Sequence, residues 1–430
     1  MRKAIVLGGY GLIGAAVARA LHGAGFAVTC VGRSAQAAAR MPGFTWALRD
    51  IARTGAADWR KLFEGATVVV NASGILQDGA GDSLRAIHET AVAEVLEALA
   101  GTSTRLVQIS AAGVSESSPT EFFRSKARGD ARIMASGLDW VILRPVLVIG
   151  AEAYGGTALL RAAAALPLIE AQVFAQAPVQ TVALDDLAMA VLAAAEGKIP
   201  SRSCADLTEA ESRSFLATQR AFRAWQGFAP PRLRLALPRG LLRLIGRGAD
   251  ALGHLGWRSP LRTTALRSIE AGICGTPEAW LAAGGAPCRS LGETLAALPA
   301  TVQERWFARM FFLLPLAIAT LSLFWFLSGA ITLAAPHRAA EVLSQRGMAP
   351  GLALGFALAG ALADMALGIG IALRRYCVPA ALGMVALSTA YLAGSVAFAP
   401  DLWADPLGPM LKVLPSMPLA LIVALLGGNR

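Results

Sequence analysis

The chain contains no C-x-x-C pair, no cysteine–histidine spacing of the zinc-binding kind and no lysine-rich stripe interleaved with aromatics. Those absences argue against a metal site and against nucleic acid as a partner. Its five cysteines, Cys30, Cys204, Cys274, Cys288 and Cys377, are scattered and odd in number. That usage fits a reducing compartment and offers no disulfide framework. Charge is scarce as well, with 16% of the 430 residues charged against 55% hydrophobic, and both values depart from soluble averages. No charged-then-apolar leader precedes the first apolar strand, so the amino-terminal domain is expected to stay cytosolic, with the first long hydrophobic helix acting as insertion signal. The net charge of +10 is arginine-led. It suits anionic headgroups or phosphate-bearing ligands, and equally an ordinary solvated surface.

The residues that are present divide the chain in two. Short apolar runs at Ala4–Leu7, Phe26–Val31, Thr67–Val70, Leu106–Ile109 and Trp140–Leu143 alternate with helical patterns at Gly11–His22, Leu84–Ala100 and Phe122–Ser136. Fully apolar strands separated by helices predict an α/β domain, a Rossmann-like doubly wound parallel sheet that binds ligands beyond the carboxyl ends of its strands. Gly8, Gly11 and Gly14 follow the first strand and open a helix. Glycine there permits a tight turn and lets the backbone approach a pyrophosphate at the positive helix end. The second strand ends in Val31-Gly32-Arg33-Ser34, with no acid for a ribose hydroxyl. Arg33 suits a 2′-phosphate, so NADP(H) is favoured with NAD(H) as the alternative; a plain surface arginine is the competing reading.

Further residues complete a recognisable order. Asp50-Ile51, Asn71-Ala72-Ser73-Gly74, Ile109-Ser110-Ala111-Ala112-Gly113 and Leu143-Arg144-Pro145 follow successive strands. Over residues 1–200 the set resembles an atypical or extended short-chain dehydrogenase/reductase, most closely the branch containing the nucleotide-binding accessory subunit of respiratory complex I. The resemblance implies that Gly8, Gly11, Leu12, Ile13, Gly14, Arg33, Asp50, Ile51, Asn71, Ala72, Ser73, Ser110, Lys126 and Pro145 hold the dinucleotide, with Asp50-Ile51 against adenine. It also implies a Y-x-x-x-K pair, but here the segment reads Phe122-Phe123-Arg124-Ser125-Lys126. Lys126 is kept as a catalytic candidate, while Phe122 has no ionisable proton. The usual serine position falls near Ala112 or Gly113, also without a hydroxyl. His88 stands where the family often has an active-site asparagine. It is either a replacement proton donor or a structural histidine.

Residues 201–302 read as a substrate-side helical lobe and membrane-proximal linker, with helices over Glu211–Trp225 and Pro238–Leu255. In the second, Arg239, Arg243 and Arg247 accompany Leu241, Leu242, Leu244 and Ile245. Such a stretch fits an anionic membrane surface, or a helix packed on its own domain with a solvated arginine face.

Four apolar segments follow, Met310–Ala335, Pro350–Leu373, Tyr376–Pro400 and about Val413–Gly428. They predict an all-α transmembrane bundle of about four helices over 303–430, the last short and either bent by Pro415 and Pro418 or partly re-entrant. Arg305, Arg309, Arg374, Arg375 and Arg430 flank one side. Arg338, Arg346 and Lys412 flank the other, diluted by Glu341, Asp401 and Asp405. That bias places both termini inside. Gln303-Glu304-Arg305-Trp306, Asp364 and the run Leu402-Trp403-Ala404-Asp405-Pro406-Leu407-Gly408-Pro409-Met410-Leu411-Lys412 make this half similar to the DoxX-like membrane family. Some of its relatives belong to quinone-reducing enzymes. Asp364, deep in a spanning segment, implies a proton or quinone role, or an internal hydrogen bond to Ser328 or Tyr391.

The expected protein is a multi-pass, bacterial-type inner-membrane oxidoreductase acting on a quinone or lipid substrate. The alternative is a non-catalytic NADP(H)-binding structural or redox-sensing module of a membrane protein complex. An isomerase or dehydratase of lipids has no distinguishing residue.

Overall fold

Strands β1 (Lys3–Leu7), β2 (Ala27–Gly32), β3 (Thr45–Leu48), β4 (Val68–Asn71), β5 (Arg105–Ile109), β6 (Trp140–Pro145) and β7 (Ser203–Leu207) form one seven-stranded sheet in the order β7-β6-β5-β4-β1-β2-β3. Every pairing in it is parallel. The structure, a computed structural model, describes residues 2–79, 83–254, 256–257 and 261–428. Leu255 and Arg430, which entered the sequence reading as a helix end and a flanking charge, lie outside the described residues.

Alternation along β1 explains the layering. Ala4 and Val6 face a core shared with Val17 and Leu21 of α1 (Leu12–Gly23), and with other residues of that face. Ile5 and Leu7 face the opposite core with Trp59 of α2 (Ala56–Phe63) and Val92, Val95 and Leu99 of α3 (Ala91–Leu99). A strand apolar on both sides needs helices on both faces, and the sheet is covered accordingly. α4 (Glu121–Met134) packs beside α3, and α5 (Leu184–Ala195) packs on α1. The strand order reverses between β1 and β4, the switch point where doubly wound sheets bind ligands.

Two local features depart from the sequence reading. The sheet does not end at residue 200, since Ser203–Leu207 pairs with β6 as an edge strand. Only Ala205 and Leu207 of β7 are buried, so it lacks the continuous apolar run that marked the inner strands. The expected helix over 84–100 opens at Leu84 but passes through a π-helical turn, Ala86–Thr90, before α3 begins.

The chain divides into two compact units, residues 1–250 with 259–308, and 251–258 with 309–430. The lobe expected at 201–302 therefore groups largely with the sheet. Helices Gly155–Ala164, Phe215–Trp225 and Leu291–Ala297 share a small core of Leu160, Phe222, Leu291 and Leu295. Fully buried Arg161 donates to the carbonyls of Gly150 and Ala151 and to Glu304 Oε2 at 2.7 Å. The amphipathic stretch is helix α6 (Arg239–His254).

The second unit contains α7 (Val302–Ala334, from residue 309), α8 (Pro350–Ala372) and α9 (Cys377–Phe398), of 33, 23 and 22 residues, each long and apolar enough to cross a membrane. The fourth apolar segment is short, as its sequence implied, and runs over Leu411–Gly427. Its helix, α10 (Ser416–Gly427), has 12 residues and reaches only about 18 Å of a roughly 30 Å hydrocarbon layer. Among the described residues three helices, rather than four, meet the length. Asp364 in α8 accepts hydrogen bonds from Ser328 Oγ at 3.1 Å and Tyr391 Oη at 3.0 Å. Those are the hydroxyls read from the sequence as its internal partners, and they satisfy a group that is costly to leave bare in lipid.

Candidate functional site

The turn between β1 and α1 is built for an anion. Gly8 and Gly9 N–H both donate to the Val31 carbonyl at 3.0 Å, and Gly11 N–H donates to Gly8 O at 2.9 Å. Gly8 adopts φ +78°, and a Cβ on Gly14 would stand 2.1 Å from Gly8 O, inside any allowed contact. The N-cap of α1 is Gly11, with no side chain over the first amides. The uncapped first amides of α1, together with the helix dipole, form the cradle that a pyrophosphate requires, so the residues present fit a dinucleotide. Leu12 and Ile13 continue the turn, each half-buried.

Beneath the turn lies the loop after β4. Buried Asn71 donates from Nδ2 to Gln108 Oε1 at 2.9 Å and accepts from Ser73 N–H at 3.2 Å and from Ser73 Oγ. The loop is thereby pinned under the glycines, and a Cβ on Gly8 would sit 3.0 Å from Ala72 O. Arg33 is exposed just past β2, and its N–H donates to Tyr10 Oη at 3.3 Å. Tyr10 in turn stacks on Trp46, with ring centroids 5.9 Å apart. The sequence reading passed over Tyr10 in this role, although its place between Gly9 and Gly11 is the signal. Asp50 closes its own turn: its carboxylate accepts Ala52 N–H at 3.1 Å and its carbonyl accepts Thr54 Oγ1. Ile51 packs against the core.

The polar centre gathers where β5, β6 and α4 meet. Ser110 Oγ at 2.8 Å and Arg144 Nε and Nη2 at 3.0 and 2.9 Å all donate to Asp130 Oδ2. Burial pushes the Asp130 carboxyl up, and Arg144, Ser110 and Lys126 oppose that. Asp130 was not singled out from the sequence, although it lies one helical turn from Lys126. Pro145 is buried, and its carbonyl accepts Ala112 N–H at 3.0 Å.

Lys126 is buried, with Nζ donating to Ile109 O at 3.1 Å. Desolvation lowers its pKa to about 8, with Asp130 pulling the other way. Phe122 stands with its ring centroid 5.7 Å from that ammonium. Gly74 borders the same spot, because an added Cβ would lie 3.6 Å from His88 Nε2 and 3.7 Å from Lys126 Nζ.

His88 is buried in the same cluster. Its Nε2 accepts Ile75 N–H at 3.4 Å and its Nδ1 lies 2.9 Å from Ser125 Oγ. The network assigns the proton to Nδ1, because Nε2 faces a donor. Burial, then the Lys126 charge, lowers its pKa to about 3. A neutral imidazole with both nitrogens engaged ties the loop at Ile75 to Ser125 of α4. The π turn that carries it packs against α4, where a Cβ on Gly129 would lie 2.3 Å from His88 O.

Residues 8–195 match the NAD(P)H-binding family, and residues 322–421 match the DoxX-like family. Similar solved structures include the Bordetella bronchiseptica enzyme WbmH in complex with NAD+, at 18% identity over 69% of this chain and 97% of that one, TM-score 0.52. UDP-glucuronic acid 4-epimerase from Bacillus cereus with NAD is 17% identical over 72% and 99% of the two chains, TM-score 0.52. UDP-glucose 4-epimerase from Thermotoga maritima with UDP-glucose is 16% identical over 68% and 96%, TM-score 0.50. No match is found among curated proteins. The amino-terminal part thus matches an NAD(P)H-binding family and carries a Rossmann-like doubly wound parallel sheet. In this chain it is fused to a carboxyl-terminal DoxX-like domain with membrane-length helices.

Proposed function

We propose that the chain is a membrane-anchored NAD(P)H-dependent oxidoreductase that prefers NADP(H) and reduces a quinone or another lipid-soluble acceptor. It would sit in a bacterial-type inner membrane with the nucleotide domain cytosolic. The observation that carries this reading is the buried Lys126 ammonium with Phe122 beside it, where a proton-donating tyrosine would be expected. When bound, the nicotinamide supplies hydride. The glycine turn would grip the pyrophosphate, and Arg33 a 2′-phosphate. Lys126, with a pKa of about 8, can deliver a proton near neutral pH. An acceptor whose reduced oxygen tolerates negative charge suits such a centre better than a simple ketone, whose alkoxide demands a stronger acid. A quinone meets that condition, and it partitions into the layer that the DoxX-like helices are long enough to cross.

The purified full-length protein in lipid nanodiscs tests the proposal. NADPH oxidation should proceed with short-chain quinone analogues and be negligible with simple aldehydes and ketones. Robust carbonyl turnover would overturn it. A second reading, the non-catalytic module of a membrane complex, draws on the absent tyrosine and on Ser110, whose hydroxyl is committed to Asp130. Tight NADPH binding with no turnover of any quinone analogue would favour that reading.

The cofactor preference has its own test. NADPH should bind more tightly than NADH, and Arg33→Asp should erase the difference. A charge-assisted phosphate contact of about 1.5–3 kcal/mol corresponds to roughly ten- to a hundredfold in affinity. Equal calorimetric affinities in the unmutated protein would reject the role of Arg33.

A further inference from the structure

Helix α6 has three faces, and only one is used by the protein. Leu242, Gly246 and Ala249 are buried, and Gly246 backs onto Thr263 and Leu266. At about 100° per residue, Leu241, Leu244 and Leu252 fall within roughly 80° of one another on a different face. They remain 41%, 66% and 48% exposed. Arg239, Arg243 and Arg247 form a row at i, i+4 spacing between the two. Arg239 meets Glu270 at 3.2 Å, whereas Arg243 and Arg247 have no acidic partner among the described residues. From Arg232 to Ala249 the chain carries Arg232, Arg234 and these three arginines, and no acid. An exposed leucine stripe flanked by uncompensated arginine is the pattern of a helix lying in a membrane interface.

The segment that follows says which surface. Residues 251–258 belong to the membrane unit. There Trp257 Nε1 donates to Ala372 O at 2.7 Å, and Arg374 Nη1 donates to Gly256 O at 3.1 Å. Ala372 is the last residue of α8, and Arg374-Arg375 leads into α9. Tryptophan and arginine at the end of a span mark the headgroup level. The chain therefore leaves α6 at the edge of a bilayer, on the side of the Arg374-Arg375 loop.

We propose that α6 lies on the anionic headgroup surface of the bilayer crossed by α7–α9, with Leu241, Leu244 and Leu252 at the acyl boundary and Arg243 and Arg247 on lipid phosphates. This covers both the exposed leucines and the unpaired arginines, which packing on the protein's own domain leaves unexplained.

Hydrogen–deuterium exchange of the full-length protein in nanodiscs tests this. Backbone amides of residues 239–254 should exchange more slowly in phosphatidylcholine discs containing phosphatidylglycerol than in phosphatidylcholine alone. Lipid contacts of this kind are worth roughly fivefold per arginine, so the double variant Arg243→Gln, Arg247→Gln should remove about thirtyfold of that protection. Leu244→Ser should lower protection in both disc types. Exchange of amides in β1, β4 and β5 should stay the same in all variants, which separates lost lipid contact from unfolding. Equal protection of α6 in neutral and anionic discs, or protection insensitive to the double substitution, would overturn the proposal.

Discussion

Lys126→Ala should lower the rate of NADPH oxidation by quinone analogues by about 10²- to 10⁴-fold, the usual cost of losing a general acid. The pH profile should carry the same signature. A lysine donates a proton only as its ammonium, and burial has brought this one down to about 8. Activity of the unmutated protein should therefore hold below that value and fall as pH rises through it. His88, lowered to about 3, is neutral across the whole range and contributes no second limb. Stopped-flow measurement of hydride transfer between pH 6 and 10 on either side of about 8 would read this directly. A profile unaltered by Lys126→Ala would remove the lysine from the chemistry.

The second large effect concerns Asp130. One of its oxygens receives Ser110 and two nitrogens of Arg144, and its charge also favours the Lys126 ammonium. Asp130→Ala would leave two cationic groups facing each other at a buried site. Removing one partner from a buried ion pair costs about 3–5 kcal/mol, because the remaining charge has no compensation. Chemical denaturation of the detergent-solubilised protein should register a loss of that size in the nucleotide domain. Asp130→Asn, which keeps one acceptor oxygen, should lose less. In that milder variant the basic limb of the rate profile should also move below 8, because Asp130 no longer supports the lysine's proton. If both variants were as stable as the parent, the cluster would be no structural keystone.

Much of this arrangement could be read from the chain alone, and the reasons are physical. The inner strands and the glycine turn were legible because burial on both faces and a left-handed Gly8 leave few residue choices. The partners of Asp364 were legible too, since a carboxyl in a spanning helix has few hydroxyls within reach. β7 was not, because an edge strand shields only some of its side chains. Nor was the state of His88. An amphipathic pattern says that a helix has an inner face, but not that both imidazole nitrogens will find partners there. The π turn escaped as well; it sits where Gly129 closely approaches the His88 carbonyl, a contact between distant segments. Asp130 was missed despite its regular spacing from Lys126, because its meaning comes from Ser110 and Arg144 on other elements.

The pairing of Arg161 with Glu304 bears on how this protein could be dissected. Glu304 lies in the opening turn of α7, yet residues up to 308 count with the nucleotide unit. A water-soluble fragment trimmed at the conventional place, ahead of the first hydrophobic helix, would discard the only carboxylate that Arg161 touches among the described residues. The natural seam runs through the helix itself. Excision of the amino-terminal half thus calls for a cut within α7, beyond residue 308, and the retained stub of helix is as much a part of that half as any strand of its sheet.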